Sequence, residues 1–128
     1  MARAVFDASA VMALLLDEPG ADMVARYADD ALISTVNLQE VIKSLLARGN
    51  SEQTVRSMLG AIGLDIRPHA IDDAWAAARL YQHTRTKGCG LGDRTCMALA
   101  ISESLPAITA DRVWAELSIP GLAVILAR

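Results

Sequence analysis

The feature that most constrains this chain is an alternation of short β-rich runs with longer stretches of helical periodicity. The runs are Ala4–Phe6, Ala31–Ser34, Leu64–Arg67, Ala107–Thr109 and Leu122–Leu126. Strands separated by helices are joined by crossovers and lie parallel in one sheet. They are apolar without a polar alternation, which is what a parallel sheet covered on both faces requires. The sequence therefore predicts an α/β fold: a three-layer α/β/α domain on a central, mainly parallel five-stranded sheet, with residues 1–128 forming a single domain. A chain of 128 residues that is 53% apolar has enough material for one real core and is not disordered.

The helices follow from spacing and punctuation. The first, from about Ala8 to Leu16, is apolar on nearly every side and belongs inside. Behind Arg3 it mimics a secretion signal, but Asp17-Glu18-Pro19 stands where a cleavage site needs small residues. Its apolar run is also far shorter than the roughly 20 residues that span a bilayer. The expected location is cytoplasmic, with no membrane contact. Pro19-Gly20 breaks this helix, and a second carries Met23, Val24 and Tyr27. A third places Leu38, Val41, Ile42, Leu45 and Leu46 on one stripe and stops at Gly49. Asn50 and Gln53 have capping-box spacing for a fourth. A long helix from about Ile71 to Thr84 is expected to bury Ile71, Trp75, Ala78 and Tyr81. A last one turns Cys96, Met97, Ala100 and Ile101 inward, and Trp75 and Trp114 both read as core. Cys89 and Cys96 have neither a CxxC nor a zinc-ribbon spacing, so free thiols are expected.

The charge balance narrows the function. A net charge of −3 excludes binding nucleic acid through a generally basic surface, and 4% aromatics excludes a base-stacking platform. Four acids, however, sit where a parallel sheet collects chemistry, just beyond the carboxyl ends of its strands. Asp7 ends the first strand and Asp111 the fourth; Glu40 lies in the first turn after the second, and Asp93 opens the helix that feeds the fourth. Each could simply cap a helix, and Asn37 and Glu40 have capping-box spacing. Caps on helices that follow parallel strands nevertheless converge on one edge. Two carboxylates about 5 Å apart repel by roughly 3 kcal/mol at an effective dielectric of 20, so a cluster gains protons or a cation. Oxygen donors without His or Cys favour Mg²⁺ or Mn²⁺, and such an ion suits phosphoryl chemistry.

These segments resemble the PIN-domain ribonucleases, and within them the VapC-like toxins of type II toxin–antitoxin systems. The likeness rests on Val5-Phe6-Asp7-Ala8-Ser9-Ala10, Ser34–Val41, Leu91-Gly92-Asp93-Arg94 and Thr109-Ala110-Asp111-Arg112, in that order and spacing. It implies a Mg²⁺- or Mn²⁺-dependent endoribonuclease with Asp7, Glu40, Asp93 and Asp111 as its catalytic acids. Of these, Asp7, Asp93 and Asp111 would be the metal ligands, and Ser9, Asn37 and Thr109 the supporting side chains. It also implies an RNA substrate, a homodimer, and a cognate antitoxin whose C-terminal segment covers the acidic groove. Asn37 stands where many relatives have Thr or Ser, Ala110 replaces a common Asn, and Cys96 sits near where some carry a further acid.

The stretch from His83 to Arg94 reads either as a basic rim that guides RNA phosphates, through Arg85, Lys87 and Arg94, or as a solvated loop. Arg112 could contact the scissile phosphate or pair with an acid. Two rival functions remain. A metal-dependent phosphatase or phosphotransfer protein would use Asp7 as nucleophile, although Ser9 fills the second place of the DxD pairing typical of such enzymes. A non-catalytic PIN-like module would only bind RNA or a partner.

Overall fold

The computed structural model describes residues 3–128. Five strands, β1 (Val5–Phe6), β2 (Leu32–Ser34), β3 (Asp65–Arg67), β4 (Ala107–Thr109) and β5 (Val124–Leu126), form one sheet in the order β3-β2-β1-β4-β5. Every pairing is parallel, so the sheet is wholly rather than mainly parallel. Around it run α1 (Ala8–Leu16), α2 (Ala21–Ala25), α3 (Thr35–Ala47), α4 (Glu52–Ile62), α5 (Ile71–Arg79), α6 (Tyr81–Thr84) and α7 (Leu91–Glu103), with a short 3₁₀ helix at Arg112–Glu116.

Successive side chains on a strand point to opposite faces, and here both faces are covered. Phe6, Ile33 and Ile108 pack with Val11, Val41, Leu45 and Val55 on the side of α1, α3 and α4. Their neighbours Val5, Leu32 and Ala107 pack with Met97, Ala100 and Trp114 on the side of α7. Each large side chain hidden this way stabilises the fold by about 1.5–3 kcal/mol, which explains why β1, β2 and β4 show no polar alternation; the expectation fails at edge strand β3, where Asp65 and Arg67 flank an exposed Ile66. The three-layer arrangement follows.

Strand order also locates the site. From β1 the chain steps outward to β2 and β3, then returns through α5–α7 to β4 on the other side of β1. The connections leaving β1 and entering β4 diverge, and the crevice at such a switch point lies above the carboxyl ends of the two strands.

Several local expectations are corrected. The helix expected over 71–84 is broken at Leu80 into α5 and α6. Ile71 is 78% exposed, Trp75 62% and Tyr81 56%, and Ala78 faces out too; the buried residue on α5 is Ala77. Helical spacing identified one stripe of this helix, but the helix packs on α7 through the neighbouring alanine face. Only Trp114 of the two tryptophans is core. Ser51, not Asn50, caps α4 by accepting the Thr54 N–H, while Asn50 donates to the Leu45 carbonyl and closes the end of α3. Tyr27 lies beyond the end of α2. Among the described residues no helix is long and apolar enough to cross a membrane.

Candidate active site

Asp7 follows the central strand and is 5% exposed. It caps α1: Oδ1 accepts the Ala10 N–H at 2.8 Å and the Ser9 hydroxyl at 2.7 Å. Oδ2 accepts the Thr109 hydroxyl at 2.5 Å from the end of β4. The same hydroxyls take bonds in return, Ser9 Oγ from the Ala110 N–H at 2.9 Å and Thr109 Oγ1 from the Asp111 N–H at 3.0 Å. Two segments a hundred residues apart in sequence are thus cross-linked through one buried carboxylate. Burial raises the Asp7 pKa to about 6, against the pull of its three hydrogen bonds, and the Asp93 charge adds to the rise.

Asp93 stands in the first turn of α7, where its Oδ2 accepts the Gly90 N–H at 2.9 Å. Its proton affinity is also raised, first by burial and then by Asp111. Asp111 caps the 3₁₀ helix by accepting the Val113 N–H at 3.0 Å through Oδ1. The capping reading is therefore correct for three of the four acids, and it does not use them up. Among the described residues no donor reaches the second oxygens of Asp93 and Asp111.

Glu40 differs. It is in the second turn of α3, not the first, because Ser34 caps that helix. The residue is exposed, and its carboxylate caps nothing but accepts a 2.9 Å bond from Asn37 Nδ2. That amide also donates to the Gly92 carbonyl at 2.9 Å, tying α3 to the turn of α7 that carries Asp93. Gly92 escaped the sequence reading as part of the site; a glycine in a helical first turn beside Asp93 was the available signal.

Cys96, fully buried one turn beyond Asp93, records the convergence. Its thiol is pushed well above its usual range by burial and then by the charges of Asp7, Asp93 and Glu40. Cys89 responds in the same direction, to burial and then to Asp93 and Asp111. Asp7 and Asp111 follow β1 and β4 and are linked through Thr109, and Asp93 and Glu40 are linked to one another through Gly92 and Asn37. Among the described residues, no three carboxylate, imidazole or thiol groups close around a single point. The donor set fits a hard divalent cation in kind: oxygen ligands only, one of them in a burial that disfavours its charge. Mg²⁺ in particular keeps several waters and is held by one or two carboxylates.

The basic residues are mostly engaged elsewhere. Lys87 pairs with Glu116 at 3.3 Å. Arg94 donates to the Cys89 carbonyl at 2.8 Å and lies over the Tyr81 ring at 5.5 Å. Arg112 donates to the Arg128 carbonyl at 2.9 Å, so it is turned to the chain end rather than to an acid. Arg85 is exposed at the end of α6.

The comparisons with known proteins bear on the family and the fold. Residues 4–120 match the family profile of the PIN domain. No curated protein matches the chain. Among solved structures, the fold is similar to a DNA-bound VapBC from Salmonella typhimurium, at 19% identity, covering 100% of both chains with a TM-score of 0.74. It is similar to a toxin–antitoxin complex from Klebsiella pneumoniae, at 21% identity over 98% of each chain with a TM-score of 0.74. A VapBC-5 toxin–antitoxin structure from Mycobacterium tuberculosis shares 26% identity over 98% of this chain and 99% of that one, with a TM-score of 0.64.

Proposed function

Because this chain belongs to the PIN-domain family, which spans residues 4–120, we propose that it is a metal-dependent endoribonuclease and the toxin of a toxin–antitoxin pair. The observation that supports this reading is that Asp7 and Asp111 follow adjacent parallel strands and are linked through Thr109, while Asn37 joins Glu40 to the turn that carries Asp93. Asp7, Asp93 and Asp111 would hold Mg²⁺ or Mn²⁺. The ion would supply a nucleophile at neutral pH and stabilise charge developing on the phosphodiester.

The protein's own groups do the rest. The Ser9 and Thr109 hydroxyls and the Ala10 N–H orient Asp7 and hold its carboxylate against burial. The oxygens of Asp93 and Asp111 that accept no backbone N–H would be the ones to bind the ion. Glu40, exposed and anchored by Asn37, would orient the attacking water and take its proton. Arg85 is the cation of the rim best placed to meet an RNA phosphate, since Lys87, Arg94 and Arg112 are already engaged.

The partners fit as well. The apolar groove between α3 and α4, lined by Leu38, Ile42, Leu46, Val55, Leu59 and Ile66, suits an apolar segment of an antitoxin. Both this groove and the proposed site are built on α3. The exposed Ile71, Trp75, Tyr81 and Leu91 suit a homodimer interface. The phosphatase alternative is disfavoured because both Asp7 oxygens are hydrogen-bonded and the carboxylate is buried, a poor state for a nucleophile. A purely binding role gives no reason to gather four acids at a mouth that must receive a polyanion.

The test is direct. Protein purified free of antitoxin should cleave RNA with Mg²⁺ or Mn²⁺ and stop on EDTA, and Asp93→Asn should lose cleavage while keeping its fold. Equal cleavage by wild type and Asp93→Asn would trace the activity to a contaminant and remove the reading.

A further inference from the structure

We propose that Asn37 and Gly92 are positioning residues that together set the Glu40 carboxylate. The inference rests on the nuclease reading for its consequence in catalysis, but its geometry stands on α3 and α7 alone.

Asn37 is 1% exposed. Its Nδ2 gives one proton to Glu40 Oε1 and the other to the Gly92 carbonyl, both at 2.9 Å. Both partners are acceptors only, so the amide has a single orientation; the flipped form would set oxygen against oxygen. That orientation leaves the buried Oδ1 without a protein donor among the described residues, an unfavourable outcome that the two donated bonds explain.

Gly92 supplies the space. A Cβ at this position would lie 2.5 Å from Glu40 Oε1 and 2.6 Å from Oε2, so the carboxylate occupies the place of the missing side chain. Nothing in the backbone asks for glycine: Gly92 is inside α7 and is not among the positive-φ residues. Glycine is the poorest helix former after proline, which leaves Glu40 as the reason for it. Asn37 pulls the carboxylate down and Gly92 lets it in, one residue from Asp93.

The atoms that must yield to a Cβ are the far end of a flexible side chain. Gly92→Ala is therefore expected to fold normally and to displace only Glu40. A misplacement of this size lowers kcat by roughly 100-fold with little change in KM, and Glu40→Ala should do the same. In the double variant the Cβ meets empty space, so Glu40→Ala with Gly92→Ala should cleave as Glu40→Ala does.

A second readout needs no cleavage. The chain has two asparagines, Asn37 and Asn50, so the Asn37 side-chain amide is readily assigned by NMR. Its resonances should move in Gly92→Ala as in Glu40→Ala, with no further shift in the double variant. Additive losses of activity, or an Asn37 amide indifferent to Gly92→Ala, would overturn the proposal. If the wild type cleaves no RNA, the nuclease reading fails, and the amide resonances still decide whether the Glu40 anchor exists.

Discussion

Replacing Asp7 by Asn removes a charge from a place the fold has made unfavourable for one. The folded protein holds the Asp7 proton more tightly than the unfolded chain, with a pKa of about 6 against 3.8. Stability from this group is full below the lower value and is lost as pH rises through the higher. Near pH 7 the ionised carboxylate therefore costs the metal-free fold about 3 kcal/mol, at 1.36 kcal/mol per pKa unit. Asn keeps the shape. Its Oδ1 can still accept from Ala10 and Ser9, and its Nδ2 can donate to Thr109 Oγ1, whose proton then turns toward Ser9, 3.4 Å away. Allowing roughly 1 kcal/mol for imperfect accommodation, Asp7→Asn should be the more stable protein by about 2 kcal/mol. For a chain of this length that is a rise of roughly 8 °C in Tm. The assay is thermal unfolding of both proteins in EDTA from pH 4 to pH 8. The gap should be small at pH 4 and fully open by pH 7. Mn²⁺ should then raise the Tm of the wild type and leave the variant unmoved. A variant less stable than wild type at pH 7, or a gap independent of pH, would refute the claim that Asp7 is held at a stability cost. Functional sites commonly carry such a cost.

Other consequences reach different parts of the molecule. Trp114→Ala, at a site 1% exposed on the α7 side of the sheet, should cost about 3–5 kcal/mol, read by urea denaturation. Trp75→Glu should shift the protein from dimer to monomer in light scattering while its Tm as a monomer stays close to that of the wild type; an unmodified protein that is already monomeric removes the dimer proposal. Arg67 links Asp65 in β3 to Glu103 in α7, and the Arg67 and Arg3 guanidiniums lower the Asp65 pKa. The stabilisation from Asp65 is present above its ordinary pKa and lost as pH falls through the lower folded value. Arg67→Ala should therefore lower Tm modestly at neutral pH, the loss should shrink at low pH, and high salt should mask it.

How much of this was legible in the chain can be judged residue by residue. The central strand runs were legible because their apolar character has no alternation, and β4 has the predicted bounds at Ala107–Thr109; β3, at the sheet edge, instead alternates as Leu64-Asp65-Ile66-Arg67. Asp7 and Asp111 could be placed beyond the ends of β1 and β4 because each immediately follows, or nearly follows, a strand. The exposed stripe of α5 could not be read. Periodicity identifies a face but not whether anything covers it, and α5 turned its small Ala77 face to α7 while leaving Trp75 outside. The engagement of Lys87, Arg94 and Arg112 was equally hidden, since each partner lies in another segment or on the backbone.

The amino-acid order by itself determined that parallel strands with covering helices would form, and that acids would stand along one edge of the sheet. These are local matters, decided by hydrophobic pattern and by which residue follows a strand. Tertiary structure alone decided that β1 lies between β2 and β4, which buries Asp7 and so raises its pKa, while bringing it under the hydroxyl of Thr109, whose bond opposes the rise. It alone set Glu40 in the space left by Gly92, with Asn37 across both. Such contacts depend on distances between elements remote in the chain, and no local pattern carries those distances.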